Sequence, residues 1–238
     1  MAEAAPTRSI STVLLDAGGV ILDETEYEAV MARLVVKALA PYVPGYSVED
    51  YEADVRQAIA CFCPSVTMYV VWKHLRPDAE LCGEVRAAIR AEYAEHEPLL
   101  RLMAGIGHEI RQLSRSFRVA TAGQYGRSVL DLLDRHGLLD CFANHLTQDD
   151  FDITKPDPRY LERIAAAVGA HPRECVMVGD RIDKDVIPAK HLGMKTIRIR
   201  VGLHVDQEPR TPWEVPDAEL DGVRGLAQAV RRLAGRLV

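Results

Sequence analysis

Short runs of consecutive apolar residues alternate along much of the chain with longer stretches in which apolar and polar residues are mixed. Apolar runs of this length are typical of strands buried on both faces, as in a parallel sheet. The predicted strands span residues 13–15, 117–121, 142–146, 175–179 and 195–200. The mixed stretches around them predict helices at 100–113, 126–136, 158–168, 183–192 and 223–237. This alternation predicts the α/β class, with a doubly wound, mostly parallel sheet.

Residues 23–97 interrupt the alternation, because no convincing strand lies among them. Four helices are predicted there instead, at 23–39, 47–61, 64–75 and 81–96. The first is opened by residues 23–26, which resemble a capping box, and the second is started by residues 47–50. A crossover between parallel strands needs only about a dozen residues, so most of this span is an insertion. We therefore predict a core domain of residues 1–22 and 98–238 and an all-helical cap domain of residues 23–97.

Composition narrows the classes of partner. The chain has 238 residues and a net charge of −6, and both signs are mixed along it, which argues against nucleic acid or an anionic membrane as the main partner. No apolar run approaches the length of a membrane span, and the start lacks the pattern of a signal peptide. The five cysteines are odd in number and lack metal-site spacing, so we expect reduced thiols in a cytoplasmic protein.

Polar residues follow four of the predicted strands. Asp16 ends the first, Thr121 ends the second and Lys155 follows the third, while Asp180 and Asp185 follow the fourth. Because the carboxyl ends of parallel strands meet at one edge of the sheet, we expect these side chains to converge.

A converging set of this kind has a distinct chemistry. Carboxylates packed together need a counter-ion, and an all-oxygen set suits Mg²⁺ best. The lysine, the hydroxyl and the loop amides suit a phosphoryl oxyanion. Each residue also has a purely structural alternative, such as a helix-entry carboxylate or a solvated loop charge. It is much less plausible that such residues follow all four strands by chance.

Together these stretches resemble the haloacid dehalogenase superfamily, whose members are mostly phosphatases. The resemblance covers nearly the whole chain, and its motifs occur in the family's order. It implies a Rossmann-like core with an inserted helical cap. The segments that carry it are Asp16-Ala-Gly-Gly-Val20, Thr121, Lys155-Pro-Asp-Pro158 and Gly179-Asp180 with Asp185.

The resemblance also implies a role for each matching residue. Asp16 would be the nucleophile that forms an aspartyl-phosphate, with Thr121 and Lys155 completing the catalytic set. Mg²⁺ would be held by Asp16, the main-chain oxygen of Gly18, Asp180 and Asp185. The phosphate would be bound by Ala17, Gly18, Thr121, Ala122 and Lys155. The expected substrate is a small phosphorylated metabolite, and the protein is expected to be a monomer or homodimer.

Two positions depart from the family pattern. Gly18 stands where these phosphatases usually carry a second aspartate as general acid and base, so a proton donor is missing; Asp23, His74 and a metal-bound water are candidates. Asp152 stands where a glycine is usual, which predicts a local loop change without loss of Lys155.

The missing acid keeps two alternatives open. One is a metal-independent 2-haloacid dehalogenase, which fits the absent acid but gives no purpose to Asp180 and Asp185. The other is a degenerate, non-catalytic binding protein. Side chains that could contact a substrate are Tyr69, Trp72, Lys73 and His74 on one predicted helix, and Gln124, Tyr125 and Arg127 after Thr121.

Overall fold

The computed structural model describes residues 9–95 and 100–235. These residues form two compact units, which are called the core unit and the helical unit below. The core unit comprises the described parts of Met1–Asp23, Leu100–Val201 and Pro209–Val238, and the helical unit comprises those of Glu24–Leu99 and Gly202–Glu208. The predicted domain boundary between residues 97 and 98 lies outside the described residues, as does the predicted end of the fourth helix at His96.

One segment differs from the predicted division of the chain. Residues 202–208 were expected in the core, but they cluster with the helical unit. Leu203 packs on the apolar cluster of the helices, and its N–H donates to Glu28 Oε1 at 3.1 Å. The sequence around Leu203 does not indicate this packing, because it depends on contacts with residues that are distant in the chain.

The described residues contain seven strands, of which five form one sheet. The strands are β1 (Thr12–Leu15), β2 (Leu22–Asp23), β3 (Arg101–Leu102), β4 (Arg118–Thr121), β5 (Cys175–Gly179), β6 (Lys195–Ile199) and β7 (Ala218–Leu220). The main sheet has the order β4-β1-β5-β6-β7, and its neighbouring strands are all parallel. The predicted α/β class with a parallel sheet is therefore confirmed.

Nine α-helices lie within the described residues. They are α1 (Thr25–Leu39), α2 (Val48–Ala60), α3 (Val66–Leu75), α4 (Ala79–Ala94), α5 (Ile106–Ser114), α6 (Arg127–Arg135), α7 (Pro158–Ala167), α8 (Ile187–His191) and α9 (Leu226–Leu233). None of them has both the length and the apolar character that a membrane span requires.

Helices cover both faces of the main sheet because successive side chains of a strand point to opposite sides. Val13 and Leu15 of β1 belong to an apolar cluster with α5, α6 and α9. Leu14, between them, belongs to a second cluster with α7 and α8. All three side chains are fully buried, which explains why β1 reads as an unbroken apolar run.

Three predicted elements of the core unit differ in part from the structure. The helix predicted at 100–113 begins with β3, which pairs antiparallel with β2, and α5 starts only after Gly105 at a φ of 91°. The strand predicted at 142–146 is reduced to a single bridge between Val119 and Phe142. The helix predicted at 183–192 is a π-helical turn, Ile182–Val186, followed by the short α8.

The helical unit has an apolar cluster of its own, formed by side chains of α1 to α4. The predicted start of α2 is confirmed, and Ser47 and Asp50 form a capping box there by exchanging hydrogen bonds. The capping box predicted at 23–26 is absent, because Asp23 lies in β2 and the N-cap of α1 is Glu24 without a side-chain bond. The five cysteines are free, as expected.

Candidate active site

Three carboxylates meet where two neighbouring strands end. Asp16 follows β1, Asp180 follows β5, and Asp185 lies on the π-helical turn that comes next. All three residues are buried, and each offers a carboxylate oxygen within 4.8 Å of those of the other two. Because β1 and β5 are paired in parallel, their carboxyl ends bring Asp16 and Asp180 to the same edge.

Lys155 joins this cluster from the loop that precedes α7. Its Nζ donates to Asp16 Oδ1 at 2.7 Å and to Asp185 Oδ1 at 2.6 Å, and only 3% of its side chain is exposed. Burial disfavours the charged amine, but the carboxylates of Asp16 and Asp185 outweigh it and raise the pKa of Lys155. The lysine is therefore a fixed positive charge between two carboxylates.

Both carboxylate oxygens of Asp185 accept hydrogen bonds. Oδ1 accepts from Lys155, and Oδ2 accepts from the main-chain N–H of Arg181 at 3.1 Å. Burial raises the pKa of this carboxyl, and the charges of Asp16 and Asp180 act in the same direction, whereas Lys155 opposes them. The Arg181 guanidinium also acts on Asp180 and Asp185, but it is itself paired with Asp183. The three carboxylates therefore outnumber the cations available to them, and this is the electrostatic setting in which a divalent cation binds.

Two glycines allow the carboxylates to come this close. A Cβ on Gly179 would lie 2.2 Å from Asp185 Cγ, and a Cβ on Gly19 would lie 2.9 Å from Asp180 Cβ. Gly19 also has a φ of 66°, which side chains rarely tolerate. Gly19, the second residue of the Gly-Gly pair, is therefore needed because a side chain there would occupy the space of Asp180.

Thr121 ends β4 next to β1, and its neighbour in space is Asn144. The N–H and Oγ1 of Thr121 both donate to Asn144 Oδ1, at 2.9 and 3.2 Å, and Asn144 Nδ2 donates back to the Thr121 carbonyl at 3.2 Å. Asn144 was not expected from the sequence. The only local sign of it is its place just after Phe142, which bridges to Val119.

The Thr121 loop lies against the loop that follows Asp16. A Cβ on Gly123 would lie 2.6 Å from the Ala17 nitrogen and 2.9 Å from Tyr125 Cδ1. One expectation needs correction here: the N–H of Ala122 donates to the Leu15 carbonyl at 2.7 Å, so the sheet uses this amide and it is not available to an anion.

Tyr125 is the residue of this loop with unsatisfied hydrogen-bonding capacity. It is 6% exposed, and its hydroxyl has no hydrogen-bond partner in the described part of the protein. Burial raises the pKa of the phenol, the Thr121 side chain opposes this shift, and the charge of Asp16 acts in the same direction as burial. A buried phenol without a partner is costly unless a ligand satisfies it.

Three other residues named in the sequence analysis, Asp152, Lys73 and His74, are not part of the acidic cluster. Asp152 is an exposed residue that forms an ion pair with Arg163, so its replacement of glycine leaves Lys155 in place. His74 and Lys73 both bind Asp54 inside the helical unit.

These features define an α/β protein whose polar side chains gather at the carboxyl edge of a parallel sheet. The model of a family described as haloacid dehalogenase-like hydrolase matches residues 10–193, well over half of the chain. The chain therefore belongs to the haloacid dehalogenase-like hydrolases, and the resemblance inferred from its motifs is confirmed.

Two relatives have names that specify a reaction. A glyceraldehyde 3-phosphate phosphatase from Methanopyrus kandleri is 36% identical over 126 residues, which cover 53% of this chain and 54% of the relative. A pyrophosphatase from Halalkalibacterium halodurans is 28% identical over 191 residues, which cover 79% of this chain and 82% of the relative. The chain spans about half the length of the first of these relatives.

A solved structure extends the likeness over nearly the whole chain. A haloacid dehalogenase-like protein of unknown function from Agrobacterium tumefaciens matches with a TM-score of 0.68 and 18% identity. The match covers 94% of this chain and 99% of that chain. At this identity the likeness concerns the fold alone.

Proposed function

We propose that this hydrolase is a phosphatase that acts on a small phosphate monoester. The observation that carries the proposal is the cluster of Asp16, Asp180 and Asp185 within 4.8 Å, bridged by Lys155. The names of the phosphatase and the pyrophosphatase among its relatives support the same type of reaction.

The donor set fits Mg²⁺. Asp16, Asp180 and Asp185 offer oxygen atoms only, which this ion prefers, and one lysine does not balance their charge. The main-chain oxygen of Gly18, next to Asp16, would complete the protein's contribution. When bound, the cation would withdraw negative charge from the phosphoryl oxygens, which would allow an anionic nucleophile to approach the phosphorus atom.

In the proposed reaction, a carboxylate oxygen of Asp16 attacks phosphorus while the bond from phosphorus to the ester oxygen breaks. Water then attacks the aspartyl-phosphate at phosphorus, which releases phosphate and restores the carboxylate. Lys155 holds Asp16 in place and neutralises charge on it. The Thr121 hydroxyl, which donates to Asn144 in the structure, would turn to donate to a phosphoryl oxygen when substrate binds. Ala17 lies against the Thr121 loop, where its amide would face the same oxygens.

The leaving group needs a proton that Gly18 cannot supply. Tyr125 is the strongest candidate for a donor within reach of Thr121, because its phenol is buried, protonated and without a partner. With a phenol in place of a carboxylic acid, the enzyme would favour substrates whose leaving groups need little protonation, such as aryl phosphates or pyrophosphate.

The test is release of phosphate from p-nitrophenyl phosphate with Mg²⁺ and with a chelator. We expect turnover only with Mg²⁺ and none in Asp16→Asn. The matched control is Asp134→Asn, an exposed aspartate of α6, which should keep wild-type activity. Halide release from 2-haloacids in the chelator, with no phosphate release in either condition, would instead support a dehalogenase.

A further inference from the structure

The helical unit contains a cavity of about 210 Å³ that shares no residue with the acidic site. It lies between α1, α3 and α4. The side chains that give it its chemistry are Tyr27, Ser65, Thr67, Arg86, Arg90 and Tyr93. A cavity of this size suits a small anion or metabolite rather than a drug-sized ligand.

Two arginines line this cavity, and none of its other lining residues is acidic. Arg86 and Arg90 are four residues apart on α4, so their side chains lie on the same face of the helix. No acidic residue lines the cavity, and among residues 9–95 and 100–235 neither guanidinium has an ion pair or hydrogen bond to a carboxylate. Arg86 is half-buried and Arg90 is exposed, so both guanidiniums remain accessible to a ligand from solution.

A second groove of the same unit shows the contrast. This larger groove of about 610 Å³ also contains two arginines, Arg33 and Arg56. Its lining includes three carboxylates as well, those of Glu28, Glu52 and Asp206. The positive and negative charges that line the larger groove therefore offset one another, whereas both charges that line the smaller cavity are positive.

The uncharged groups of the cavity can also donate hydrogen bonds. Tyr27 and Tyr93 meet edge to face, with ring centroids 5.3 Å apart at 88°. Burial raises the pKa of both phenols, and Glu24 acts in the same direction, so both remain donors at neutral pH. The Ser65 hydroxyl oxygen accepts from the N–H of Met68, which leaves its hydrogen free to donate.

We propose that this cavity binds a phosphate group, held by the Arg86 and Arg90 guanidiniums and by hydroxyl donors around them. Arginine binds phosphate through paired, charge-assisted hydrogen bonds, and two arginines match the two charges of a phosphate dianion. The assignment does not depend on the reaction proposed above. The group could be free phosphate or part of a larger metabolite.

Met31 lines the cavity and provides a local probe. The full-length chain, with ¹³C-methyl methionine, would be titrated with inorganic phosphate at constant ionic strength, and the Met31 methyl signal followed by NMR. Met177 on β5 reports on the core unit in the same spectrum. We expect a saturable shift of Met31 in the wild type.

Charge-matched variants decide whether the cavity causes that shift. Arg86→Gln with Arg90→Gln should weaken phosphate binding at Met31 by at least about tenfold. Arg33→Gln with Arg56→Gln removes the same charge from the other groove and should leave binding unchanged. Melting temperatures check that both variants fold. If the first is unfolded, the double lysine variant should bind a few fold more weakly, because it keeps the charge but loses the paired geometry.

Three results would overturn the proposal. They are a wild-type Met31 signal that does not move, equal affinity in the Arg86/Arg90 variant, and a shift that is lost in Thr121→Ala but kept in the arginine variant. The last result would mean that phosphate acts from the sheet edge. A failure of the phosphatase assay would leave this binding assay unaffected, so the two proposals fail separately.

The same titration with glycerol 3-phosphate in place of inorganic phosphate distinguishes the source of the phosphate group. Tighter binding of the ester at Met31 would mean that the group is part of a larger metabolite. Equal or weaker binding of the ester would mean that the cavity takes free phosphate.

Discussion

Asp16, Asp180 and Asp185 bring three negative charges into a buried space in which Lys155 supplies one positive charge. The ammonium bonds to two of the carboxylates, so removing it would leave both without their partner. The cost of an uncompensated buried charge is large, about 3–5 kcal/mol when one member of a pair is removed.

Lys155→Met should lower the free energy of unfolding in chelator by about 3–5 kcal/mol, because Asp16 and Asp185 lose their counter-charge. Added Mg²⁺ should restore part of the loss, since a bound cation replaces the missing charge. Urea unfolding in chelator and in Mg²⁺ measures both effects. The control is Lys37→Met, whose exposed pair with Glu92 should be worth less than about 1 kcal/mol. Equal losses in the two variants would contradict the assigned charge balance.

Gly18→Asp should raise kcat/KM for alkyl phosphates by about tenfold to a hundredfold, because it adds the missing proton donor. The gain on p-nitrophenyl phosphate should be small, since that leaving group needs little protonation. The backbone of Gly18 does not adopt a left-handed φ, so its conformation is one that a residue with a side chain can adopt. Gly19→Asp is the control and should be inactive, because its side chain would meet Asp180. No gain on alkyl phosphates in Gly18→Asp would argue against the proposed need for an acid.

At the scale of elements, the site depends on how closely the π-helical turn packs on the end of β5. Gly179 has no Cβ, and Asp185 occupies the space that a Cβ would take. The sequence predicts an ordinary helix at 183–192, whereas the chain forms a π-helical turn at Ile182–Val186 before α8. This turn includes Asp185, whose Oδ1 accepts from Lys155.

Gly179→Ala should therefore displace Asp185 and reduce both activity and stability, since its Cβ would lie 2.2 Å from Asp185 Cγ. The matched control is Gly83→Ala in α4, where nothing lies within 4 Å of the added Cβ. That variant should gain about 0.5–1 kcal/mol because alanine favours the helix. Phosphatase rates and thermal melting of both variants test the prediction. A fully active Gly179→Ala would show that the close packing does not set the position of Asp185.

The helical unit contains a buried carboxylate network that links α2 to α3. Asp54 accepts from Lys73, from His74 and from the Tyr46 hydroxyl. Burial raises the pKa of Asp54, but the hydrogen bonds from Lys73, His74 and Tyr46 outweigh it and hold the pKa below its usual range. The ionised form is thus stabilised by folding, and this stabilisation depends on pH.

A carboxyl whose pKa is lowered by folding stabilises the protein above its unfolded pKa and loses that effect as pH falls through its folded pKa. Asp54→Asn should therefore cost about 1–3 kcal/mol near neutral pH, and the difference from the wild type should shrink below about pH 4. Denaturant unfolding across pH measures it. Asp50→Asn, which alters an exposed capping box, should show a smaller effect. A difference for Asp54→Asn that stays constant with pH would contradict the assigned shift.

At the scale of the whole molecule, buried parallel strands were the most predictable part of the fold. β1 and β5 are buried along their whole length, so burial on both faces appears directly in the sequence. β7 is only partly buried, and β2 and β3 have two residues each, so their pairing leaves little local signal. Strand prediction failed where pairing depends on distant residues rather than on burial.

The same reasoning applies to the site. Asp16 and Asp180 were predictable because polar residues at the ends of apolar strands have a limited set of uses. Lys155 was predicted after a strand that is only a single bridge in the structure, and it reaches the cluster from the loop before α7 instead. Asn144 was not predicted, since its importance comes from a long-range contact with Thr121. Tyr125 was named only as a possible substrate contact, because its burial becomes apparent only in the folded structure. The cavity between α1, α3 and α4 was also not predictable, because three separate helices supply its lining.

The proposed function as a whole depends on a phosphoryl group passing through Asp16. Rapid acid quench of a single turnover of an aryl phosphate with Mg²⁺, followed by peptide mapping, tests this directly. We expect one phosphoryl group on the peptide that contains Asp16 at early times, with its decay matching phosphate release. Full phosphate release without any phosphorylated peptide, or a phosphoryl group on a residue other than Asp16, would contradict the account.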